Sequence, residues 1–344
     1  MKKYIALIIV TGILFTSFKI MDRVNFVIPP NWPKPTYDFS KNPLTTEKIL
    51  LGRALFYDPI LSRDNTISCA SCHSPYTVFA HVDHALSHGI DNKMGNRNAP
   101  ALMNLAWYSN FMWDGAINHL DMQALAPISN RDEMDEKIEH VVKKLQQSKL
   151  YPLLFYQAFG DSIITGEYTL KAIAQFMVTI VSAQSKYDSV MRKQAVFTIQ
   201  EKNGYRLYQQ NCASCHAEPL FTNLRFENNG LTVDTTLNDY GRMKVTNNPA
   251  DSIKFKVPTL RNIQYSAPYM HDGRFKRLQD VLKHYTSNIQ KSKNLSIHLQ
   301  NPILLSADEK IDMIAFLFTL TDKGFLSDPK YAYPKNIFSY IQGN

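Results

Sequence analysis

The pentapeptide Cys-Ala-Ser-Cys-His occurs twice in the chain, at residues 69–73 and again at residues 212–216. The two copies contain all four cysteines of the 344-residue sequence, so no cysteine is left for another role. The spacing Cys-x-x-Cys-His is typical of covalent c-type haem attachment, in which two thiols bind the porphyrin and the adjacent imidazole binds the iron. The repetition therefore predicts two haems per chain.

Three other uses of paired cysteines compete with haem attachment: a zinc site, disulfides and thioredoxin-like redox pairs. Neither a zinc site nor a disulfide requires a histidine directly after each second cysteine. A redox pair would be expected to open a helix after a strand in a βαβ unit, and the sequence shows no such pattern. The repeated histidine, at His73 and His216, favours haem.

The first twenty residues have the layout of an export signal. Lys2 and Lys3 precede an apolar run from Tyr4 to Phe18, and a proline-rich stretch follows at residues 29–35. A charged start followed by an apolar segment is typical of secretion, so we expect a periplasmic location. No clear cleavage site follows, which leaves an uncleaved N-terminal membrane anchor as an alternative. No other segment is long and apolar enough to span a bilayer.

The composition is that of an ordinary globular protein. Hydrophobic residues make up 44% of the chain and charged residues 20%, which excludes global disorder. The net charge is +8, but the lysines and arginines are scattered rather than clustered, so nucleic acid is not an expected partner. The length suggests two domains of about 150 residues each.

Helical signals surround both pentapeptides, and strand patterns are scarce. Capping residues and apolar periodicity predict helices over residues 46–57, 133–147, 169–191, 199–210 and 311–320. Ser306 and Glu309 form a capping box ahead of the last of these. The expected fold is mostly α, with two cytochrome-c-like helical domains that each carry one covalently bound c-type haem.

The predicted domain organisation has four parts. Residues 1–20 form the signal peptide or anchor, and residues 21–43 a proline-rich lead-in. Residues 44–192 form a first haem domain, and residues 193–344 a second.

Several further motifs resemble those of the bacterial di-haem cytochrome c peroxidases, a family that includes the MauG-type enzymes. They are Arg-Asn-Ala-Pro-Ala-Leu at 97–102, Phe-Met-Trp-Asp-Gly at 111–115, Gln123, Glu133-Met134, Gly-Arg at 241–242, Val-Thr at 245–246, Phe-Lys-Val-Pro-Thr-Leu-Arg-Asn at 255–262 and Ala-Pro-Tyr-Met-His-Asp-Gly at 267–273. The resemblance extends from about residue 44 to residue 320. It implies a peroxidatic haem in the first domain and an electron-transfer haem in the second.

The resemblance also assigns the residues around each haem. Cys69 and Cys72 would tether the first haem, with His73 as its proximal ligand. Cys212 and Cys215 would tether the second haem, with His216 as its proximal ligand. His271 matches a pocket residue of the family.

Peroxide reduction needs an open iron position, a group that moves a proton between the two peroxide oxygens, and a second reducing equivalent nearby. The resemblance makes Glu133 the acid–base carboxylate, Gln123 the amide that orients peroxide, Pro127 a pocket-wall residue and Trp113 the tryptophan between the haems. From the sequence alone, acidic runs such as the one around Glu133 usually form solvated helix N-termini. A lone tryptophan is more often a core residue.

Two further iron ligands are left open by the sequence. His88, in the histidine-rich loop after the first motif, lies closest to the removable distal ligand of the family, and an ordinary loop histidine is the alternative. Tyr285 stands where the best-known peroxidases have an axial methionine and MauG-type enzymes a tyrosine, and Met270 is the nearby alternative. A phenolate would lower the potential of the second haem, whereas a thioether would raise it.

Calcium is a further cofactor that the resemblance implies. Asn98, Ser266 and Pro268 match the positions that hold a calcium ion between the two domains of the family, through one side-chain oxygen and two backbone carbonyls. Hard oxygen ligands of this kind suit calcium.

The expected function is reduction of hydrogen peroxide with electrons from a small cytochrome c or copper protein, and a homodimer is compatible with the sequence. One alternative is a MauG-like enzyme that oxidises a protein substrate, which Tyr285 favours. The other is a non-enzymatic di-haem electron carrier, against which Gln123 and Glu133 argue.

We predict two iron-containing haems per chain, and both should stay attached in denaturing gels because thioether bonds survive unfolding. A pyridine haemochrome titration against protein concentration measures this ratio. A ratio of zero or one, or zinc in place of iron, would contradict the prediction.

Overall fold

The computed structural model describes residues 22–342, and the predicted signal segment 1–20 lies outside this range. The α-helices are α1 (Thr46–Tyr57), α2 (Cys69–Cys72), α3 (Leu120–Gln123), α4 (Leu125–Ser129), α5 (Ile138–Gln147), α6 (Tyr151–Phe159), α7 (Gly166–Val178), α8 (Lys186–Met191), α9 (Ile199–Asn211), α10 (Met243–Thr246), α11 (Leu278–Lys283), α12 (Ala307–Phe318), α13 (Lys323–Leu326) and α14 (Lys335–Gln342). Two short antiparallel strands, β1 (Phe226–Glu227) and β2 (Phe255–Lys256), pair with each other. The expected helical fold is therefore observed. Within the described range, no helix combines the length and apolar character needed to cross a membrane.

The ends of the longer helices follow the sequence signals. Thr45 caps α1 by accepting a hydrogen bond from the backbone of Lys48, and the helix stops before Asp58, as the Asp-Pro pair predicts. Both side chains of the Ser306–Glu309 capping box are engaged at the start of α12. A second capping box opens α9.

The same helix crossing is built twice, and each crossing depends on a glycine. In the first half α1 crosses α7, and a Cβ on Gly52 would overlap the carbonyl oxygen of Ala172. In the second half α9 crosses α12, and a Cβ on Gly204 would overlap the carbonyl oxygen of Asp312. The missing side chain lets the two backbones approach closely in both halves.

Two clusters of buried apolar residues lie in the two halves. The first is built mainly from residues 37–180, and the second from residues 187–320. Phe325 and Tyr331, near the end of the chain, belong to the first cluster although they follow the second in sequence. The last part of the chain thus crosses back onto the first half.

Two predicted helix boundaries are wrong. The helix expected from residue 133 begins at Ile138, because the preceding segment forms a turn in which Asp135 has a φ of 47°. The helix expected over residues 169–191 is two helices, α7 and α8. In the gap between them the backbone amides of Ala183 and Gln184 donate to Asp322 instead of continuing a helix.

We predict that Gly204→Ala lowers the free energy of unfolding by about 1–3 kcal/mol or more, because α9 and α12 must separate to admit the methyl group. Chemical denaturation of the haem-loaded protein measures the change. Gly324→Ala is the matched control, since the nearest atom to its added methyl is 3.7 Å away. Equal effects of the two substitutions would contradict close packing at Gly204.

Candidate functional site

A cavity of about 590 Å³ is lined by residues of both halves and borders both pentapeptides. The predicted site residues on its wall are Cys72, His73, Asn98, Trp113, Gln123, Pro127, Glu133, Cys212, Cys215, His216, Ser266, Pro268, Met270, His271 and Tyr285. Cys69 and His88 do not line it. Tertiary structure therefore brings together nearly all the residues that the sequence singled out.

Each motif histidine has one ring nitrogen held by a backbone carbonyl. His73 Nδ1 lies 2.7 Å from the carbonyl oxygen of Phe79, and His216 Nδ1 lies 3.0 Å from that of Pro258. Burial lowers the pKa of both imidazoles to about 4, so both are neutral at physiological pH. A neutral imidazole that donates through Nδ1 leaves Nε2 as the nitrogen that can bind a metal.

All four cysteines lie in the described residues and none of them is joined to another by a disulfide, which does not support the disulfide interpretation. Burial raises the pKa of the Cys69 and Cys212 thiols to about 12. Within residues 22–342, no three His, Cys, Asp or Glu side chains are grouped so as to hold a metal ion by themselves.

Next to the first motif, the cavity wall carries a carboxyl group with a fixed partner. Asn130 Nδ2 donates to Glu133 Oε1 at 2.6 Å. Burial raises the pKa of the Glu133 carboxyl, against the opposing effect of the Asn130 hydrogen bond. Glu133 is thus more easily protonated than an exposed glutamate, as general acid catalysis requires.

Gln123 and Pro127 lie on short helices beside Glu133. Gln123 ends α3, and its Nε2 lies 3.7 Å from the sulfur of Met112. Pro127 lies within α4, whose end is followed directly by Asn130. The amide and the carboxyl group of the predicted pair therefore share one wall of the cavity.

Trp113 joins the two halves at the cavity. Its indole Nε1 donates to the carbonyl of Asn98 at 2.8 Å, and its own carbonyl accepts from the backbone amide of Lys256, in β2, at 2.7 Å. The tryptophan is buried, so it is both a packing residue and a wall of the cavity.

Comparison with known proteins identifies the family. Residues 46–196 match the model of the di-haem cytochrome c peroxidase family. The methylamine utilization protein MauG of Methylorubrum extorquens is 35% identical over 87% of this chain and 84% of its own length. The cytochrome c551 peroxidase of Nitrosomonas europaea is 34% identical over 79% of both chains. The chain belongs to the di-haem cytochrome c peroxidase family.

A solved structure agrees with this assignment. The crystal structure of a MauG-like protein associated with microbial copper homeostasis superimposes with a TM-score of 0.79 at 30% identity, covering 90% of this chain and 99% of the other. Membership of the peroxidase family implies two c-type haems. The residues present fit them, because each thiol pair is followed by a half-buried, neutral histidine whose Nδ1 is already engaged.

The second-haem side of the cavity contains both candidate axial ligands. Tyr285 lies in a π-helical turn, His284–Asn288, and burial raises its pKa to about 12. Asn229 Nδ2 lies 3.5 Å from the sulfur of Met270, and the Asn229 side chain lies close enough to the Tyr285 hydroxyl to lower its pKa, against the larger effect of burial. π-Helical turns are frequently found at functional sites.

His88, in the histidine-rich loop after the first motif, does not line the cavity, unlike most of the other predicted site residues. The His88 ring packs against His84, with 4.9 Å between ring centroids. Its Nδ1 is buried and has no hydrogen-bond partner among the described residues. Ligation of the first iron by His88 therefore stays a prediction.

The predicted calcium residues meet where the halves join. Asn98 Nδ2 donates to the carbonyl of Pro268 at 2.6 Å, and Asn98 Oδ1 is buried without a partner in the described part of the chain. Ser266 lines the same cavity. An unpartnered buried oxygen beside a backbone carbonyl is compatible with a hard cation.

Two residues that hold this site in place were missed by sequence reasoning. Asp239 accepts two hydrogen bonds from Arg97, at 2.6 and 2.9 Å, while Arg97 also donates to Asp114 at 2.6 Å beside Trp113. Asn229 contacts both candidate ligands of the second haem. Neither residue could be recognised from the sequence, because Arg97, Met270 and Tyr285, the partners that connect them to the site, are distant along the chain.

Proposed function

We propose that this chain reduces hydrogen peroxide to water outside the cytoplasm, with electrons delivered by a small cytochrome c or copper protein. The observation that carries the proposal is one cavity that borders both haem-attachment motifs and also presents Glu133 and Gln123. A passive electron carrier has no use for a proton-donating carboxyl group inside such a cavity, so these two residues favour an enzyme.

The haem iron, when bound, supplies the coordination position for peroxide and the electrons that reduce it. Glu133 supplies the proton transfer: its carboxyl group can take a proton from one peroxide oxygen and return it to the other, which leaves as water. Asn130 fixes the orientation of that carboxyl group through its 2.6 Å hydrogen bond. Gln123 orients the peroxide.

Cys69, Cys72 and His73 would hold the peroxidatic haem, and Cys212, Cys215 and His216 the electron-transfer haem. Trp113 is the proposed connection between the two haems, since it contacts backbone of both halves. The proposed calcium ion, at Asn98, Ser266 and Pro268, would bind beside this connection and hold the halves together.

The second candidate is a MauG-like enzyme that oxidises a protein substrate. Tyr285 favours it, because its half-buried side chain lines the cavity at the second haem. A relative that is 35% identical is a MauG protein. Met270 as the ligand would favour the peroxidase, because a thioether raises the potential of the haem that accepts electrons.

We predict that Glu133→Gln keeps both haem spectra but lowers peroxide turnover on the order of a hundredfold or more, because the amide cannot carry the proton. Steady-state turnover by the calcium-supplemented enzyme, with a reduced small cytochrome c as donor, measures the rate. Asp132→Asn, the exposed neighbour, is the matched control and should retain activity. Gln123→Ala should be milder than Glu133→Gln. An unchanged rate in Glu133→Gln would support the electron carrier instead.

We predict that Tyr285→Phe, if a phenolate binds the second iron, changes the ferric spectrum and raises the potential of one haem only. Spectroelectrochemical titration resolves the two haems. Met270→Leu is the reciprocal variant and should leave that haem unchanged. A parental spectrum and parental potentials in Tyr285→Phe would remove the main support for MauG-like chemistry.

A further inference from the structure

The carbonyl that holds His73 belongs to an unusual turn. Val78 and Phe79 have φ values of 55° and 57°, so two successive non-glycine residues adopt the left-handed conformation. This conformation is a rare one for a β-branched residue such as Val78 and must be stabilised by its surroundings. The turn directs the Phe79 carbonyl oxygen to His73 Nδ1 at 2.7 Å.

The Phe79 ring is completely buried, and part of its environment comes from the far end of the chain. The Tyr331 ring lies edge-on to it, with centroids 5.9 Å apart and an interplanar angle of 86°. The Phe325 ring lies at 6.1 Å. Phe56 and Phe176, from α1 and α7, complete the surroundings at 5.8 and 6.4 Å.

The end segment, residues 322–332, is firmly attached to the first half. The Tyr331 hydroxyl donates to the carbonyl of Thr179 at 2.8 Å and accepts from the amide of Val181 at 3.1 Å. The Tyr57 hydroxyl donates to the Tyr331 carbonyl. Arg53 donates to the carbonyl of Pro329 at 2.8 Å.

The second half has a corresponding turn, but the aromatic rings around that turn do not come from the end segment. Phe221 follows His216 and also has a positive φ, of 55°, and its carbonyl oxygen lies 3.3 Å from His216 Nδ1, beside the closer Pro258 carbonyl. Its ring packs against Tyr187, Tyr208 and Phe316, which all belong to the cluster of the second half. The end segment therefore acts on one of the two proximal histidines only.

We propose that the end segment is a positioning element for the first haem: Phe325 and Tyr331 hold the Phe79 turn, and the turn holds His73. A hydrogen bond from Nδ1 to a carbonyl makes the imidazole a more basic ligand, which favours the ferric state. The segment thereby keeps the potential of the first haem low. The proposal rests on ligation by His73 and not on the reaction that the cavity carries out.

We predict that Tyr331→Leu raises the potential of the first haem and leaves that of the second unchanged. Without the Tyr331 ring, the Phe79 turn is less well fixed, and the hydrogen bond from His73 Nδ1 to the Phe79 carbonyl becomes weaker. Tyr331→Phe keeps the ring against Phe79 and should restore most of the parental potential. Redox titration of both haems, followed by their absorption, measures the shifts. The second haem serves as an internal reference.

Phe155→Leu is the matched control, since Phe155 is fully buried in the same cluster but stacks on Phe159 rather than on Phe79. It should destabilise the first half without moving either potential. If Tyr331→Leu fails to fold, Phe325→Leu tests the same contact and should give a shift of the same sign. Unchanged potentials, equal shifts of both haems, or an equal shift in Phe155→Leu would overturn the proposal.

Discussion

The hydrogen bond between each motif histidine and a backbone carbonyl is the interaction on which the rest of the structure depends. An imidazole can present Nε2 to a metal in a fixed direction only if Nδ1 is engaged elsewhere. His73 meets this requirement through the Phe79 carbonyl, and His216 through the Pro258 carbonyl. The Phe79 carbonyl lies in a left-handed turn that the aromatic core keeps in place. The packing of the aromatic core therefore also sets the orientation of the histidine that would bind the haem iron.

The site also requires that the two halves are held in a fixed arrangement, because residues of both halves line the cavity. Trp113 bonds backbone groups on either side, and Arg97 links Asp114 of the first half to Asp239 of the second. Burial by itself would raise the pKa of the Asp239 carboxyl, but the hydrogen bond and positive charge of Arg97 outweigh it and lower that pKa to about 2. Removing one partner of such a buried pair is strongly destabilising, because the other charge is left uncompensated. This pair is suited to keeping the orientation of the tryptophan constant.

The errors of the sequence interpretation have physical causes. The helix expected over residues 169–191 is interrupted because Asp322, far along the chain, offers the amides of Ala183 and Gln184 better partners than a helix would. The helix expected at residue 133 starts later, which places Glu133 in a turn on the cavity wall instead of on a solvated helix N-terminus. His88 is not one of these errors: its ring packs against His84, and its role as an iron ligand stays a prediction.

The sequence by itself determined the two haem-attachment motifs, the helical class and the Ser306–Glu309 capping box, because these depend on residues that are close together along the chain. The resemblance to the di-haem peroxidases rests on equally local motifs. Only the tertiary structure decided that fifteen of the predicted residues share one cavity, that Asn229 lies near both Met270 and Tyr285, and that the end of the chain packs on Phe79. These contacts join residues that are far apart in the sequence. They depend on how buried surfaces pack against each other, and this packing cannot be predicted from the spacing of residues along the chain.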